Sequence, residues 1–255
     1  MNTQDIALIE AQDDGKVRLL RLGAAPAHPL SLAMIGALHS EIRRAAEDPG
    51  INVLILDGPG NIFCAGHDLK EIRRHRDDPD QGKAYLRQLF SECSALMQGI
   101  TLSSKPVIAM VDGIATAGGL QLAASCDLIF ASTRARFCLP GVHNGGFCTT
   151  PAVAVARSLP RKQVMEMALS GEAFDADWAL NAGLVNRVFA PEDLPAETME
   201  FARTLAGRHP KAIADGKRML YRQIELPLDQ AYEEATEVMI GHFMDPVRIE
   251  RDRAR

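Results

Sequence analysis

Short apolar runs ended by glycine or proline alternate along this chain with longer stretches whose apolar residues recur every three or four positions. The short runs read as buried strands and the longer stretches as helices. Residues 6–10 and 16–22, with Asp13-Asp14-Gly15 between them, predict a β-hairpin. Residues 24–29 read as a loop. Ser31 is placed to cap a helix over residues 32–46, where Met34, Ile35, Leu38 and Ile42 keep helical spacing, and Asp48-Pro49-Gly50 ends it. Residues 51–56 are an apolar strand broken by Asp57-Gly58-Pro59-Gly60, and a helical pattern begins near His67. Residues 71–80 are polar and expected to be exposed. A helix over 81–99 lines up Tyr85, Leu89, Phe90, Cys93 and Met97, all expected in the core. Residues 106–111 form a second apolar strand, 112–119 a loop of small residues, 120–124 the start of a buried helix and 127–131 another buried strand. From residue 191 the pattern is helical, over 196–207, 210–223 and 227–241.

This alternation favours an α/β fold of repeated ββα units. The length of 255 residues allows one large domain or two small ones. Hydrophobic residues make up 47%, ample for a sizeable core, and charged residues 24%, as in a water-soluble globular protein. The net charge of −5 argues against a general binder of nucleic acid or of anionic membranes. No run of apolar residues is long enough to predict a membrane span. The 5 cysteines (Cys64, Cys93, Cys126, Cys138 and Cys148) are odd in number and lack CxxC spacing. They predict reduced thiols, with neither a disulfide framework nor a metal site. Residues 1–5 carry no basic region followed by an apolar run, so a cytoplasmic protein is expected.

The candidate chemistry sits where two strands run into helices through glycine. The first corner is Asn61-Ile62-Phe63-Cys64-Ala65-Gly66-His67-Asp68-Leu69-Lys70; the second is Asp112-Gly113-Ile114-Ala115-Thr116-Ala117-Gly118-Gly119. The first N–H groups of a helix have no partner inside it. Two such corners side by side can aim two N–H groups at one carbonyl oxygen, the geometry of an oxyanion hole.

Residues 63–70 resemble the first oxyanion motif of the crotonase superfamily, the enoyl-CoA hydratase/isomerase family. Val111-Asp112-Gly113 through Ala117-Gly118-Gly119-Leu120-Gln121-Leu122-Ala123, with Cys126-Asp127, resembles the second, and the likeness runs over about residues 17–241. The resemblance implies a spiral of ββα units over residues 1–190. Over residues 191–255 it implies a helical region that packs homotrimers or dimers of trimers and helps cover the acyl pocket. It implies an acyl-CoA thioester as partner, coenzyme A entering as part of the substrate, and no further cofactor. It also implies that the N–H groups of His67 and Gly118 hold the thioester oxygen as an enolate forms.

Hydratases of this family use two glutamates, one to activate water and one to protonate the α-carbon. The matching positions hold Gln121 and Gly141. An amide holds water but takes no proton at neutral pH. Two-glutamate hydration is therefore not expected, and the chain reads as one of three things. It is an acyl-CoA-binding family member of weak or non-hydratase catalysis, a lyase if active; a non-catalytic acyl-CoA-binding, oligomer-partner or regulatory protein; or an enzyme using the same hole for another reaction (isomerase, thioesterase, dehalogenase). His143 reads either as a substitute base or as a surface imidazole, and Cys148 either as a nucleophile or as a packed thiol. Glu166 and Glu172 are acidic residues without an assigned place.

Ala65, His67, Asp68, Leu69 and Lys70 match the family segment that lines the thioester and adenine end of the ligand, and residues 28–32 match another that borders it. Lys70 suits a phosphate as a point charge, or is a solvated lysine. The combination of His67, Gln121, Pro140-Gly141-Val142 and Phe147-Cys148-Thr149-Thr150-Pro151 resembles one subgroup of the family, with members in animal mitochondria and in bacteria. The end of the chain departs from the pattern: with Pro246 unsuited to a helix interior, the family's last helix is expected to be lost and replaced by an Arg-rich tail.

Overall fold

The computed structural model describes residues 7–254. It opens with a hairpin, β1 (Ile9–Asp14) and β2 (Val17–Leu22), followed by α1 (Leu32–Glu47) and β3 (Val53–Asp57). Then come β4 (Ile62–Cys64), α2 (Leu69–Arg74), α3 (Lys83–Thr101), β5 (Val107–Val111), β6 (Ile114–Thr116) and α4 (Gly118–Ser125). β7 (Leu128–Ser132), β8 (Arg136–Cys138), α5 (Thr149–Val155), α6 (Arg161–Ser170), β9 (Ala173–Asp175), α7 (Ala176–Ala182) and β10 (Arg187–Phe189) complete the strands. The chain closes with α8 (Leu194–Ala206), α9 (Pro210–Gln223), α10 (Leu228–Phe243) and α11 (Pro246–Arg253). Among the described residues no helix is long and apolar enough to cross a membrane.

The strands form two sheets. The larger is 6-stranded, in the order β1-β2-β3-β5-β7-β10, parallel except for the hairpin. The smaller is 4-stranded, β4-β6-β8-β9, parallel except for its last pair. Each turn of the spiral thus adds a long strand to one sheet and a short strand to the other, with a helix behind. The apolar runs in the sequence are continuous rather than alternating because the large sheet is covered on both faces. Leu54, Leu56, Val107, Ala109 and Val111 join the main core with α1, α3 and α4. Val53, Ile55, Ile108, Met110 and Phe130 point the other way, onto Leu194, Ala202 and Ala206 of α8.

Several expectations need correction. The first strand runs through Asp13 and Asp14, so the turn is Gly15-Lys16; Ile6 lies outside the described residues. The loop expected over 112–119 contains β6, a three-residue strand too short to show a period of 2. The helix expected near His67 begins at Leu69, because the Asp68 side chain accepts from the N–H groups of Lys70 and Glu71 and fixes the cap there. The segment 71–80 is only partly exposed: it carries α2 and a 3-10 turn, with His75 stacked on Tyr85. Phe90 is 40% exposed rather than in the core.

The last helix is present. Pro246 stands at its first position, where the missing N–H has no partner to lose, and Asp245 caps it.

A charged cluster fastens α9 to the core. Lys217 of α9 donates to Asp127 at 2.7 Å and to the carbonyls of Ile100 and Lys105, each at 3.1 Å. Asp127 also accepts from Tyr221 at 3.0 Å and from the Val107 N–H at 2.7 Å. Burial raises the Asp127 carboxyl above the usual range, and these donors oppose that rise. The aspartate of the second motif therefore holds α9 in place, below the strand β5 that leads to the second corner.

Candidate functional site

The two glycine corners lie against each other because β4 and β6 are neighbours in the small sheet, and each runs directly into its corner. Gly66 has a left-handed φ of 82°, and a Cβ there would lie 2.9 Å from the Gly118 nitrogen. Only glycine meets both demands. Gly119 is as constrained by space: a Cβ on it would lie 1.9 Å from the Cys64 carbonyl oxygen, so α4 rests on the backbone of β4. Between β6 and α4, Ala117 takes φ 50° and ψ −118°. A non-glycine residue in that conformation carries strain of about 1–3 kcal/mol, of the kind held at functional sites.

The backbone around His67 is anchored on both sides. Leu30 N–H donates to the Gly66 carbonyl at 2.8 Å, and Asp68 N–H donates to the Leu30 carbonyl at 3.3 Å. Ala65 N–H is taken by Ala27 at 2.9 Å and Ala117 N–H by Cys138 at 3.0 Å. Among the described residues, the N–H groups of His67 and Gly118 meet no acceptor. The two N–H groups singled out in the sequence are thus brought to one corner and left unpaired.

The side chains around them are mixed. The His67 ring packs with Nδ1 and Cε1 3.4 Å from where a Gly118 Cβ would stand, and lies edge-on to Phe90 with centroids 5.2 Å apart. Burial holds the His67 imidazole below its ordinary pKa, and its Nε2 is buried without a protein partner. Gln121 is 6% exposed, and its Oε1 is likewise buried and unpartnered. Gly141 lies in a 3-10 turn, Pro140–Asn144, where a Cβ would meet the Cys148 nitrogen at 2.8 Å and the Phe147 carbonyl carbon at 2.9 Å.

Other candidates are placed elsewhere. Asp68 is engaged as the α2 cap. Ala65 is half-buried; Leu69 and Lys70 are exposed, and Lys70 forms no ion pair among the described residues. His28 is fully buried, its ring nitrogens at 2.7 Å and 3.0 Å from the carbonyls of Gly23 and Pro59, so it pins the loop rather than facing a ligand. His143 is exposed, and its Nε2 lies 3.2 Å from the Ser170 carbonyl at the end of α6. Cys148 is buried and burial raises its thiol pKa, so it is a packed thiol and not an activated nucleophile. Glu166 and Glu172 are exposed. Phe90 was missed as a site residue, since its helical spacing matches that of its buried neighbours. Ala117 was missed because no sequence signal marks a strained alanine.

The enoyl-CoA hydratase/isomerase family profile matches residues 17–251. Mouse enoyl-CoA hydratase domain-containing protein 3, mitochondrial, is 40% identical over 232 residues, 91% of this chain and 76% of that protein. A crystal structure of an enoyl-CoA hydratase/isomerase family protein from Silicibacter pomeroyi superimposes with a TM-score of 0.90 at 54% identity, covering 94% of this chain and 100% of that one. The crystal structure of human enoyl-CoA hydratase domain-containing protein 3 superimposes with a TM-score of 0.91 at 37% identity, covering 97% and 95%. The mitochondrial names of these relatives overturn the expected cytoplasmic placement. Reduced cysteines distinguish an oxidising compartment from reducing ones but not one reducing compartment from another.

Proposed function

The chain belongs to the enoyl-CoA hydratase/isomerase family, and we propose that its two corners bind the thioester of an acyl-CoA, with the His67 and Gly118 N–H groups on the thioester oxygen. The observation that carries this reading is the close approach of the two corners, where a Cβ on Gly66 would stand 2.9 Å from the Gly118 nitrogen, together with the two N–H groups left unpaired there. In a site of this kind each donor contributes roughly 3–4 kcal/mol as negative charge grows on the oxygen. Lys70, exposed and free of ion pairs among the described residues, is the cation for a coenzyme A phosphate. Ala65 and Leu69 belong to the same corner segment.

Two-glutamate hydration is not the reaction of this chain. Gln121 supplies an amide where that chemistry needs a carboxylate. At Gly141 any side chain collides with the backbone of Phe147 and Cys148, so the loop itself is built for glycine. The strained Ala117 favours a site kept for chemistry on the thioester over a bare binding platform. The C-terminal helices carry exposed Leu220, Ile224, Leu228 and Tyr232, between 58% and 74% accessible, and we assign this apolar surface to subunit packing in a homotrimer or dimer of trimers.

The test is crotonyl-CoA hydration, followed by loss of the conjugated absorbance, beside calorimetric binding of butyryl-CoA. The expected outcome is binding with hydration no faster than about 10³–10⁴ over water, what a hole without its acid and base retains. Turnover at ordinary enzyme rates would show an unrecognised base and overturn the reading of Gln121 and Gly141. Absence of thioester binding would overturn the site itself.

A further inference from the structure

A cavity of about 220 Å³ opens at the N-terminal ends of the central strands of the large sheet. Asn52 stands just before β3 and Lys105 two residues before β5, and the two strands are parallel neighbours. The turns that lead into the glycine corners begin at Gly58 and Asp112, beyond the opposite ends of these strands. Five residues of strand separate the two ends by roughly 16 Å. The other wall of the cavity is the junction of α8 with α9, where Arg208 lies between the helices and Lys211 in the first turn of α9.

Three cations line this cavity, Lys105, Arg208 and Lys211, and among the described residues no carboxylate does. The imbalance is local, since acidic residues outnumber Lys and Arg in the chain by 33 to 28. Lys211 is engaged by Asp215 on its own helix. Lys105 and Arg208 form no ion pair among the described residues. A cleft lined by one sign of charge focuses the field and draws in the opposite charge. The backbone that carries these cations is fixed. The Lys105 carbonyl accepts from Lys217 at 3.1 Å, and the Lys105 N–H donates to the Ser103 hydroxyl at 3.1 Å. The Arg208 N–H donates to the Leu205 carbonyl at 3.0 Å. The buried Asn52 amide donates to the Ala206 carbonyl at 2.8 Å, tying the end of α8 to the start of β3. A frame already in place lowers the ordering cost of binding.

Size and charge select the guest. The cavity is smaller than the roughly 300–1,000 Å³ of a pocket for a drug-sized molecule, so its occupant is compact. Two uncommitted cations match a dianion. A guanidinium meets two phosphate oxygens at once, and an ammonium adds a point charge. A carboxylate brings a single charge and leaves one cation unmatched. Leu205 and Ile213 give the cavity an apolar side suited to a short carbon chain behind the anion. We propose that this cavity is a second ligand site, for a small phosphate monoester, separate from the glycine corners. It does not depend on what the corners bind.

Calorimetric titration in a phosphate-free buffer of constant ionic strength tests this, with glycerol 3-phosphate and with glycerate, a carboxylate of similar length. The native chain is expected to bind glycerol 3-phosphate at least ~10-fold more tightly than glycerate. Lys105→Gln and Arg208→Gln are each expected to weaken glycerol 3-phosphate at least ~10-fold, as loss of a hydrogen bond to a charged group does. Both are expected to leave butyryl-CoA affinity within about twofold, as changes at a distant site do. Absence of glycerol 3-phosphate binding, a smaller preference over glycerate, or affinity retained in either variant overturns the proposal. An equal loss of butyryl-CoA binding in the variants would assign the two cations to a coenzyme A phosphate and remove the second site. Thermal melts separate loss of the site from loss of the fold, and Arg208→Gln, on an exposed residue, decides the matter if Lys105→Gln does not fold.

Discussion

Alanine at position 119 is expected to be far more damaging than alanine at position 118, although the two glycines are adjacent and both begin α4. At Gly119 the new Cβ would stand 1.9 Å from the Cys64 carbonyl oxygen and 2.6 Å from its carbon, both backbone atoms of β4. No side-chain rotation relieves that contact. An ordinary separation begins near 3.4 Å, so strand and helix must part by roughly 1.5 Å. Overpacking of this kind is destabilising by about 1–3 kcal/mol. For a chain of this size about 2 kcal/mol corresponds to a fall of roughly 4–8 °C in Tm. The same movement carries the Gly118 N–H off its line, and a displacement of about 1 Å at a reacting centre lowers rates by roughly 10²-fold. For ground-state binding the loss is one neutral hydrogen bond, about 1 kcal/mol or some fivefold in Kd. At Gly118 the nearest atoms to a Cβ are the Gly66 Cα at 3.3 Å and the His67 ring at 3.4 Å, which a shift of a few tenths of an ångström accommodates. Differential scanning calorimetry and butyryl-CoA titration of both variants measure the difference. Native Tm and Kd in Gly119→Ala, or a larger loss in Gly118→Ala, would refute the argument that α4 is seated on the β4 backbone.

Two further predictions concern charges in the core. Lys217→Met leaves Asp127 buried without its cation and is expected to destabilise the chain by about 3–5 kcal/mol in urea unfolding, with α9 released first in hydrogen exchange. A loss below about 1 kcal/mol would show that the cluster does not fasten α9. Burial raises the Asp57 carboxyl from 3.8 to about 6, Arg21 at 3.5 Å only partly opposing it. The native state therefore holds that proton more tightly than the unfolded chain. Its contribution is complete below about pH 4 and is lost as pH rises through about 6, up to roughly 3 kcal/mol in all. Asp57→Asn should gain on the native chain between pH 4 and pH 7 in thermal melts, and parallel profiles for the two proteins would remove Asp57 from the account.

The sequence by itself determined the class of fold and marked the two glycine corners. Short apolar runs bounded by turn residues, such as residues 53–56, read as strands covered on both faces, and the Ser31 cap and helical spacing of Leu38 and Ile42 specify α1 almost to the residue. The two glycine corners stood out because strand, glycine and helix onset lie within a few residues of each other, and such local chemistry is written in local order. Tertiary structure alone decided everything that depends on contact between distant segments. The three-residue strands of the small sheet exist because β4, β6, β8 and β9 pair with one another, not because of any period of their own. The two adjacent glycines at 118 and 119 look equivalent in the chain and are made unequal by the carbonyl of Cys64, more than fifty residues away. Phe90 has the spacing of a core residue, yet stands beside His67, because α3 has two covered sides and an open one that periodicity does not separate. Asp127 reads as part of a motif until Lys217 of α9 is seen to meet it. Pro246, which ends a helix in a local reading, begins one here because the helix before it has already stopped. Burial, and with it the orphaned atoms of His67 and Gln121, is a property of the packed whole, since no residue can enclose itself.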